Sequence, residues 1–272
     1  MVAKVIKLNQ KALNIAQWPV KNVQAISTTR LYPFISNPKN QLTLNSSGKA
    51  FEHFNLGDHV GDDPAAVEQN RSVLLKLLPE NTKIQWLKQV HGCHVKVVNE
   101  YTSNVIEADA VITSAKQLAL SIMTADCLPI FLADKNGEKI AAIHGGWKPL
   151  SLNIIANTIQ KMSLLPERLY AWLGPCISER SFEVGAEVKM AFIQQSTDFE
   201  QAFVAITKPE NTSENQKKYL ANLHIIASIQ LHQCGVNDIS SLSHCTYNQS
   251  EQYYSYRKDK ITGRMASLIC RI

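Results

Sequence analysis

The sequence predicts an α+β fold: a mixed β-sheet core, sandwich-like in arrangement, with helices packed outside it. Between residues 84 and 147 short apolar runs rich in β-branched residues follow one another, separated by turns. Apolar residues at helical spacing are confined to a few segments before and after that block. Strands outnumber helices and do not alternate with them, which argues against a uniform βαβ series. A chain of 272 residues with 45% hydrophobic and 19% charged content buries a full core. With no internal repeat, low-complexity tract or linker, residues 1–272 read as a single domain.

The first residues, MVAKVIKLNQKALN, alternate apolar with basic and polar types and lack the apolar run of an export signal. No later stretch is apolar for long enough to span a bilayer, so a cytoplasmic protein without a membrane partner is expected. In that reducing compartment Cys93, Cys127, Cys176, Cys234, Cys245 and Cys270 should be free thiols, at least one of them a ligand or reactive group. Residues 35–50 and 207–218 are polar and turn-rich and read as surface loops.

The first clear helix begins at Asp63, an acidic cap followed by Pro64 at the first helical position. Val67, Leu74 and Leu78 share one face, Arg71 lies within the helix, and Pro79 stops it. Six strands are then expected, at IQWLKQV, HVKVV, DAVITS, ALSIM, LPIFLA and KIAAI. Beyond them LSLNIIANTIQKM reads as a helix and LYAWLG as a strand. AEVKMAFIQQ and YLANLHIIASIQLHQCG read as helices, the latter ending on Gly235, and MASLICRI closes the chain as a buried strand.

The net charge of +5 arises from 28 basic and 23 acidic residues scattered along the chain. Without a dense Lys/Arg block it argues against a nucleic-acid partner and for mild attraction of anionic small molecules.

Three segments place a soft or imidazole ligand where a strand gives way to a turn: QVHG with His91, TADCLP with Cys127 and IHGGW with His144. A ligand at a strand end projects from a rigid base, and the adjacent glycine or proline bends the backbone away from an ion. Two imidazoles and a thiolate form a borderline-soft set that suits zinc and leaves a fourth position open. Set against this, a lone His or Cys in an apolar strand is ordinarily a packed core residue, and these separations match no compact ligand motif. HGCH also offers Cys93 on the strand face of His91, with His94 next to it, so spacing leaves Cys93 open as a ligand.

QVHG, ADAVIT, TADCLP, IHGGW, WLGP, FEVG, the Cys245-Thr246 pair, SYR and TGRM stand here in an order that resembles the YfiH-like, or laccase-domain, family. That family was long labelled polyphenol oxidase and is now described as purine nucleoside phosphorylase. The resemblance runs from Thr28-Thr29-Arg30 and NLGDHVGDDP to the C-terminus, and so implies one YfiH-like domain. It implies zinc on His91, Cys127 and His144; whether copper can substitute there the sequence leaves open. It implies phosphorolysis of adenosine, inosine and S-methyl-5'-thioadenosine to free base and (methylthio)ribose 1-phosphate, with deamination of adenosine as a side activity. Departures from the family pattern are Gly145 in place of alanine, Lys148-Pro149 in place of Arg-Gly, and Asn222 where an Asp-Leu pair often stands.

Phosphorolysis needs cations that hold inorganic phosphate against the anomeric carbon. Arg71, Lys148, Arg257 and Arg264 stand in motif-like contexts for this, Arg30 less so, although an Arg is as often a solvated or capping charge. The resemblance places Arg71 beside the zinc. Asp126 and Glu183 are candidate proton shuttles, with hydrogen bonding at a strand end as the plainer role for Asp126. Tyr253, Tyr254 and Tyr256 include potential stackers for a purine ring, though such a run also suits an ordinary packed segment. The expected catalytic set is Arg71, Asp126 and Cys127; the expected partners are purine nucleosides and phosphate. No oligomeric state is assigned.

Three rival readings remain at this level. A multicopper oxidase needs about ten His and Cys ligands, typically in His-x-His pairs, and this chain has eight His and no such pair. A cysteine hydrolase would use Cys127 as nucleophile and His144 as base, with no metal. A non-enzymatic protein would only bind a nucleotide or ion in the same pocket.

Overall fold

The computed structural model describes residues 7–16, 19–35, 48–206 and 217–272. Two β-sheets face each other at its centre. The first has five strands in the order β2 (Leu13–Ile15), β3 (Val23–Thr28), β16 (Met265–Arg271), β8 (Leu118–Thr124) and β5 (Lys83–Gln85). Only its β5/β8 pair is parallel. The second has six, in the order β15 (Asp238–Ser241), β11 (Leu169–Leu173), β9 (Leu128–Asp134), β10 (Ile140–Gly145), β7 (Ala110–Thr113) and β6 (Val95–Val97). Its two outer pairs are parallel and the inner ones antiparallel. A three-stranded sheet of β12 (Glu183–Gly185), β14 (Lys218–Ala221) and β13 (Phe203–Ala205) and a small pairing of β1 (Lys7–Leu8) with β4 (Phe34–Ile35) complete the strands.

The core is stacked in layers. Leu118, Leu120, Ile122 and Ile269 of the five-stranded sheet meet Val111, Phe131, Ala142 and Trp172 of the six-stranded one. On the outer face of the five-stranded sheet, Ile26, Ala119 and Leu268 pack against Val73 and Leu74 of α1 (Pro64–Leu75). On the outer face of the other, Ile130, Leu132 and Ile143 meet Ile155 and Ile159 of α3 (Ile154–Met162) and Ile226 of α5 (Leu223–Gln233). Covered on both faces, β8, β9 and β10 are buried at every position, which is why they read as continuous apolar runs and not as alternating ones. The α+β class and the sandwich of mixed sheets flanked by helices are as the sequence predicts.

Local chemistry accounts for several boundaries. Asp63 caps α1 by accepting from Ala65 N at 3.0 Å, and Pro64 occupies the first helical position. Val67, Leu74 and Leu78 are all buried. Gly235, at φ +87°, ends the helical turn after α5 in a conformation that a side chain would resist.

The structure differs from expectation in four places. Helix α1 ends at Leu75, so the buried Leu78 lies beyond it and Pro79 is not what stops it. The helix expected over 150–162 is two, α2 (Trp147–Ser151) and α3, broken where Asn153 adopts φ 58°. The segment YLA is strand β14 and not the start of the following helix, because Asn222 caps α5 by accepting from Ile225 N at 3.0 Å. The strand expected at IQWLKQV stops at Gln85, and the chain turns toward the candidate site. There the Gln89 side chain takes the place of a ladder, donating to Met123 O at 2.9 Å and accepting from Met123 N at 2.8 Å. Most of the two expected surface loops, at 36–47 and 207–216, lies outside the described residues. All six cysteines are free. Among the described residues no helix is long and apolar enough to cross a membrane.

Candidate metal centre

Cys127 sits just before β9 and His144 near the end of β10, neighbouring antiparallel strands in which Pro129 opposes His144 and Leu128 opposes Gly145. His91 comes from the turn that follows Gln89. One ligating atom of each of these three residues lies within 4.8 Å of the others. The His91 and His144 rings meet edge to face with centroids 4.6 Å apart, and Cys127 Sγ is 3.9 Å from His91 Nε2. His91 is exposed, Cys127 half-buried and His144 buried. Gly146 makes the convergence sterically feasible: a Cβ there would come within 3.0 Å of Cys127 Sγ and 3.4 Å of His91 Cδ2.

A buried carboxylate stands behind the imidazoles. Asp109 accepts from His144 Nδ1 at 2.8 Å and from the His91 and Gly92 amides at 2.9 and 2.7 Å. Burial pushes its carboxyl up, but the His144 bond and the backbone donors outweigh this and hold it below the ordinary carboxylate range. Burial likewise opposes ionisation of Cys127 and His144, yet each favours the charged form of the other. The thiol is held below its usual value and the imidazole above its own, with Asp109 adding to the latter. Two imidazoles and a polarised thiol, one imidazole oriented by a carboxylate, are the donor set and support that zinc sites use. They do not fit a multicopper centre, since among the described residues no second cluster of three such side chains occurs.

These residues open into a cleft of about 600 Å³. Ile177, Phe182 and Leu223 give it an apolar side, and Arg257, Lys260 and Arg264 supply cations. Arg257 is fixed at both ends: its amide donates to Asp126 Oδ2 at 2.6 Å and its guanidinium to Glu183 O at 2.9 Å, 5.2 Å from the Phe182 ring centre. Arg264 donates to Thr262 O and Gly263 O, and its amide reaches Asn55 Oδ1 at 2.8 Å. Burial lowers its pKa.

The remaining expected residues fall in several places. Asp126, at φ 94°, lines the cleft with both carboxylate oxygens engaged, Oδ1 by Thr246 Oγ1 at 2.6 Å and Oδ2 by Arg257 N. Arg71 is not among the lining residues. Its guanidinium stacks on Trp86 at 4.1 Å, pairs with Asp58 at 3.1 Å and donates to Leu56 O at 3.0 Å. Lys148 is exposed on α2 and also outside the lining. Arg30 donates to Ser250 O and lies over Tyr254. Glu183 meets Arg257 through its carbonyl, not its carboxylate. Tyr253 and Tyr254 are fully buried and hydrogen-bonded, whereas Tyr256 lines the cleft. Cys93 and His94 line a separate shallow depression, away from the three ligands. The sequence alone did not single out His59, Gln89, Asp109, Trp147 or Lys260. His59, Gln89, Asp109 and Trp147 stood inside the quoted segments NLGDHVGDDP, QVHG, ADAVIT and IHGGW without being given a role, and Lys260 stood in none.

With this geometry in view, the comparisons with known proteins point to one family, under differing descriptions of its activity. Residues 43–272 match the family described as multi-copper polyphenol oxidoreductase laccase. The chain is 38% identical over 260 residues to a Shigella flexneri protein named purine nucleoside phosphorylase YfiH, covering 94% of this chain and 98% of that one. It is 39% identical over 231 residues to a Pseudomonas aeruginosa purine nucleoside phosphorylase, covering 84% and 91%. Its fold superposes on a Neisseria meningitidis protein of the DUF152 family with a TM-score of 0.82 at 35% identity, covering 96% of this chain and 99% of the other. The chain therefore belongs to the YfiH family of laccase-domain proteins.

Proposed function

We propose that this chain is a zinc-dependent purine nucleoside phosphorylase that cleaves adenosine, inosine and S-methyl-5'-thioadenosine with inorganic phosphate, and deaminates adenosine as a side reaction. The observation that carries the reading is the convergence of His91, Cys127 and His144 on one cleft that also holds Arg257, Lys260 and Arg264. The names of the relatives support it. His91, Cys127 and His144 would hold the ion, with copper as an alternative occupant of the same donors. Zinc, when bound, would supply Lewis acidity at its open position.

In phosphorolysis a phosphate oxygen forms the new bond to the ribose anomeric carbon as the bond from that carbon to the base nitrogen breaks. The base leaves with the electron pair and takes up the proton that the attacking hydrogen phosphate gives up. Arg257 and Arg264 hold the phosphate oxygens, and the bonds from their guanidinium groups to Glu183 O and to Thr262 O and Gly263 O keep those charges in place before substrate arrives. Ile177, Phe182 and Leu223 give the base an apolar surface and exclude water. Asp126 acts by positioning Arg257, since both of its oxygens are already engaged. Arg71 acts through Met123, whose sulfur it approaches at 3.8 Å, and Lys148 adds long-range attraction for phosphate from outside the cleft. We take the chain to be one domain acting on small molecules without nucleic acid or membrane, in the cytoplasm.

A second reading draws on the mutual polarisation of Cys127 and His144, which also suits a metal-independent cysteine hydrolase. One experiment separates them. Purified protein of known metal content is incubated with adenosine, with and without phosphate, beside Cys127→Ala, and the products are resolved by chromatography. Adenine formed only with phosphate, and absent from the variant, is the expected result. Inosine formed regardless of phosphate would make deamination the main activity. Neither product from protein with one bound zinc would sink the purine reading in favour of a binding role, and turnover of an ester by metal-free protein would favour the hydrolase.

A further inference from the structure

We infer that Asp109 is a positioning residue that presents both His91 and His144 to the metal, a role that rests on the metal reading above. Four N–H donors converge on its carboxylate. Oδ1 accepts from the His91 amide at 2.9 Å and from His144 Nδ1 at 2.8 Å. Oδ2 accepts from the Gly92 amide at 2.7 Å and the Val90 amide at 3.3 Å. The Asp109 main chain joins the same assembly, its carbonyl accepting from His144 N at 2.8 Å and its amide donating to His94 O at 3.0 Å. The residue is fully buried.

This arrangement does two separate things for the site. At His144, Nδ1 is committed to Asp109, so Nε2 is the nitrogen left to serve as a ligand. At His91, three consecutive amides are gathered onto one carboxylate, which holds the residue at φ 58°, a conformation that a non-glycine side chain adopts only when its surroundings dictate it. The two ligands arise 53 residues apart in the sequence, and a single side chain sets the orientation of one and the backbone of the other.

Only a carboxylate satisfies the geometry. Asparagine has one acceptor oxygen, so whichever way its amide is turned, its NH2 group faces two N–H donors. Alanine leaves all four without this partner.

The test uses zinc itself as the probe, titrated against a chromophoric chelator into the full-length protein, Asp109→Asn and the control Leu132→Ala, each with a thermal melt. Leu132 lies in the core of the same sheet, where it pairs with Ala141 and Ala171 and with none of the residues that supply the four donors. We expect Asp109→Asn to weaken zinc binding about 10–100-fold, as loss of an outer partner of a ligating histidine does. Leu132→Ala should lower the melting temperature and leave zinc affinity unchanged. In the ¹⁵N-labelled parent, a downfield Nδ1–H proton assigned to His144 by its absence in His144→Ala should be present, and it should be lost or shifted in Asp109→Asn. Zinc bound equally by the parent and Asp109→Asn would overturn the role while leaving the metal reading standing. A parent that binds no zinc would overturn the metal reading and the role with it. Should Asp109→Asn not fold, the parent resonance decides, and its absence rejects the inference.

Discussion

Thr246 donates its hydroxyl to Asp126 Oδ1 at 2.6 Å, joining two residues 120 positions apart, and the other oxygen of that carboxylate holds the backbone of Arg257. Thr246→Val keeps the shape and removes the donor. Leaving a buried carboxylate oxygen without its partner should cost about 1–3 kcal/mol of stability, seen as a lower denaturation midpoint. Because Asp126 also fixes Arg257, phosphate KM should rise more than kcat falls. An unchanged midpoint and an unchanged KM together would show the contact to be idle.

Gly146→Ala tests the space between the ligands. The added methyl, 3.0 Å from Cys127 Sγ, must displace the thiol or the His91 ring. Overpacking of this kind costs about 1–3 kcal/mol, and here it bears directly on the donor set. Zinc stoichiometry measured after dialysis should drop while far-UV circular dichroism stays that of the parent. Full zinc retention would mean that the turn adapts more easily than its contacts suggest.

Asp58 offers a pH test that involves none of the three ligands. Its hydrogen bond with His59 and its pairing with Arg71 outweigh burial and bring its pKa down to about 2. A folded-state value below the unfolded one stabilises the protein above the unfolded pKa, and that contribution fades as pH falls from about 4 through about 2. The carboxylate is more than half exposed, so the contribution should stay below about 1 kcal/mol. Urea melts of the parent and Asp58→Asn should differ at neutral pH and converge near pH 2. A gap that widens on acidification would contradict the assignment.

Phe131 stacks on Trp172 between the two sheets, ring centres 5.3 Å apart at 17°. Phe131→Ala should cost about 3–5 kcal/mol, because the fully buried site has little room to collapse. Chemical denaturation measures this directly, and a loss under 1 kcal/mol would argue against tight packing of the sandwich.

Local chemistry was the part of the fold most legible in the sequence. Asp63-Pro64 announced α1, and the apolar runs LPIFLA and KIAAI announced strands, which the structure shows to be buried on both faces. Asn222 and Asn153 misled because each interrupts an apolar pattern that would otherwise continue as helix: one caps, the other turns left-handed. At the site, the ligand types and their place at strand ends could be read, but not which of several His and Cys residues meet. Asp109 and Gln89 stand in ADAVIT and QVHG, but their roles could not be read, for a related reason. Their partners lie 17 to 35 residues away, and no periodicity reports contacts made by folding across sheets.

The register of β9 against β10 has one last consequence. Cys127 and His144 flank a single antiparallel ladder, so their separation is set by backbone hydrogen bonds that side-chain change scarcely alters. His91 stands on a turn held by side chains, those of Gln89 and Asp109. The centre thus has a fixed jaw and an adjustable one. Mutations that retune it without unfolding the protein should collect on the side of His91, and the ladder side should tolerate few.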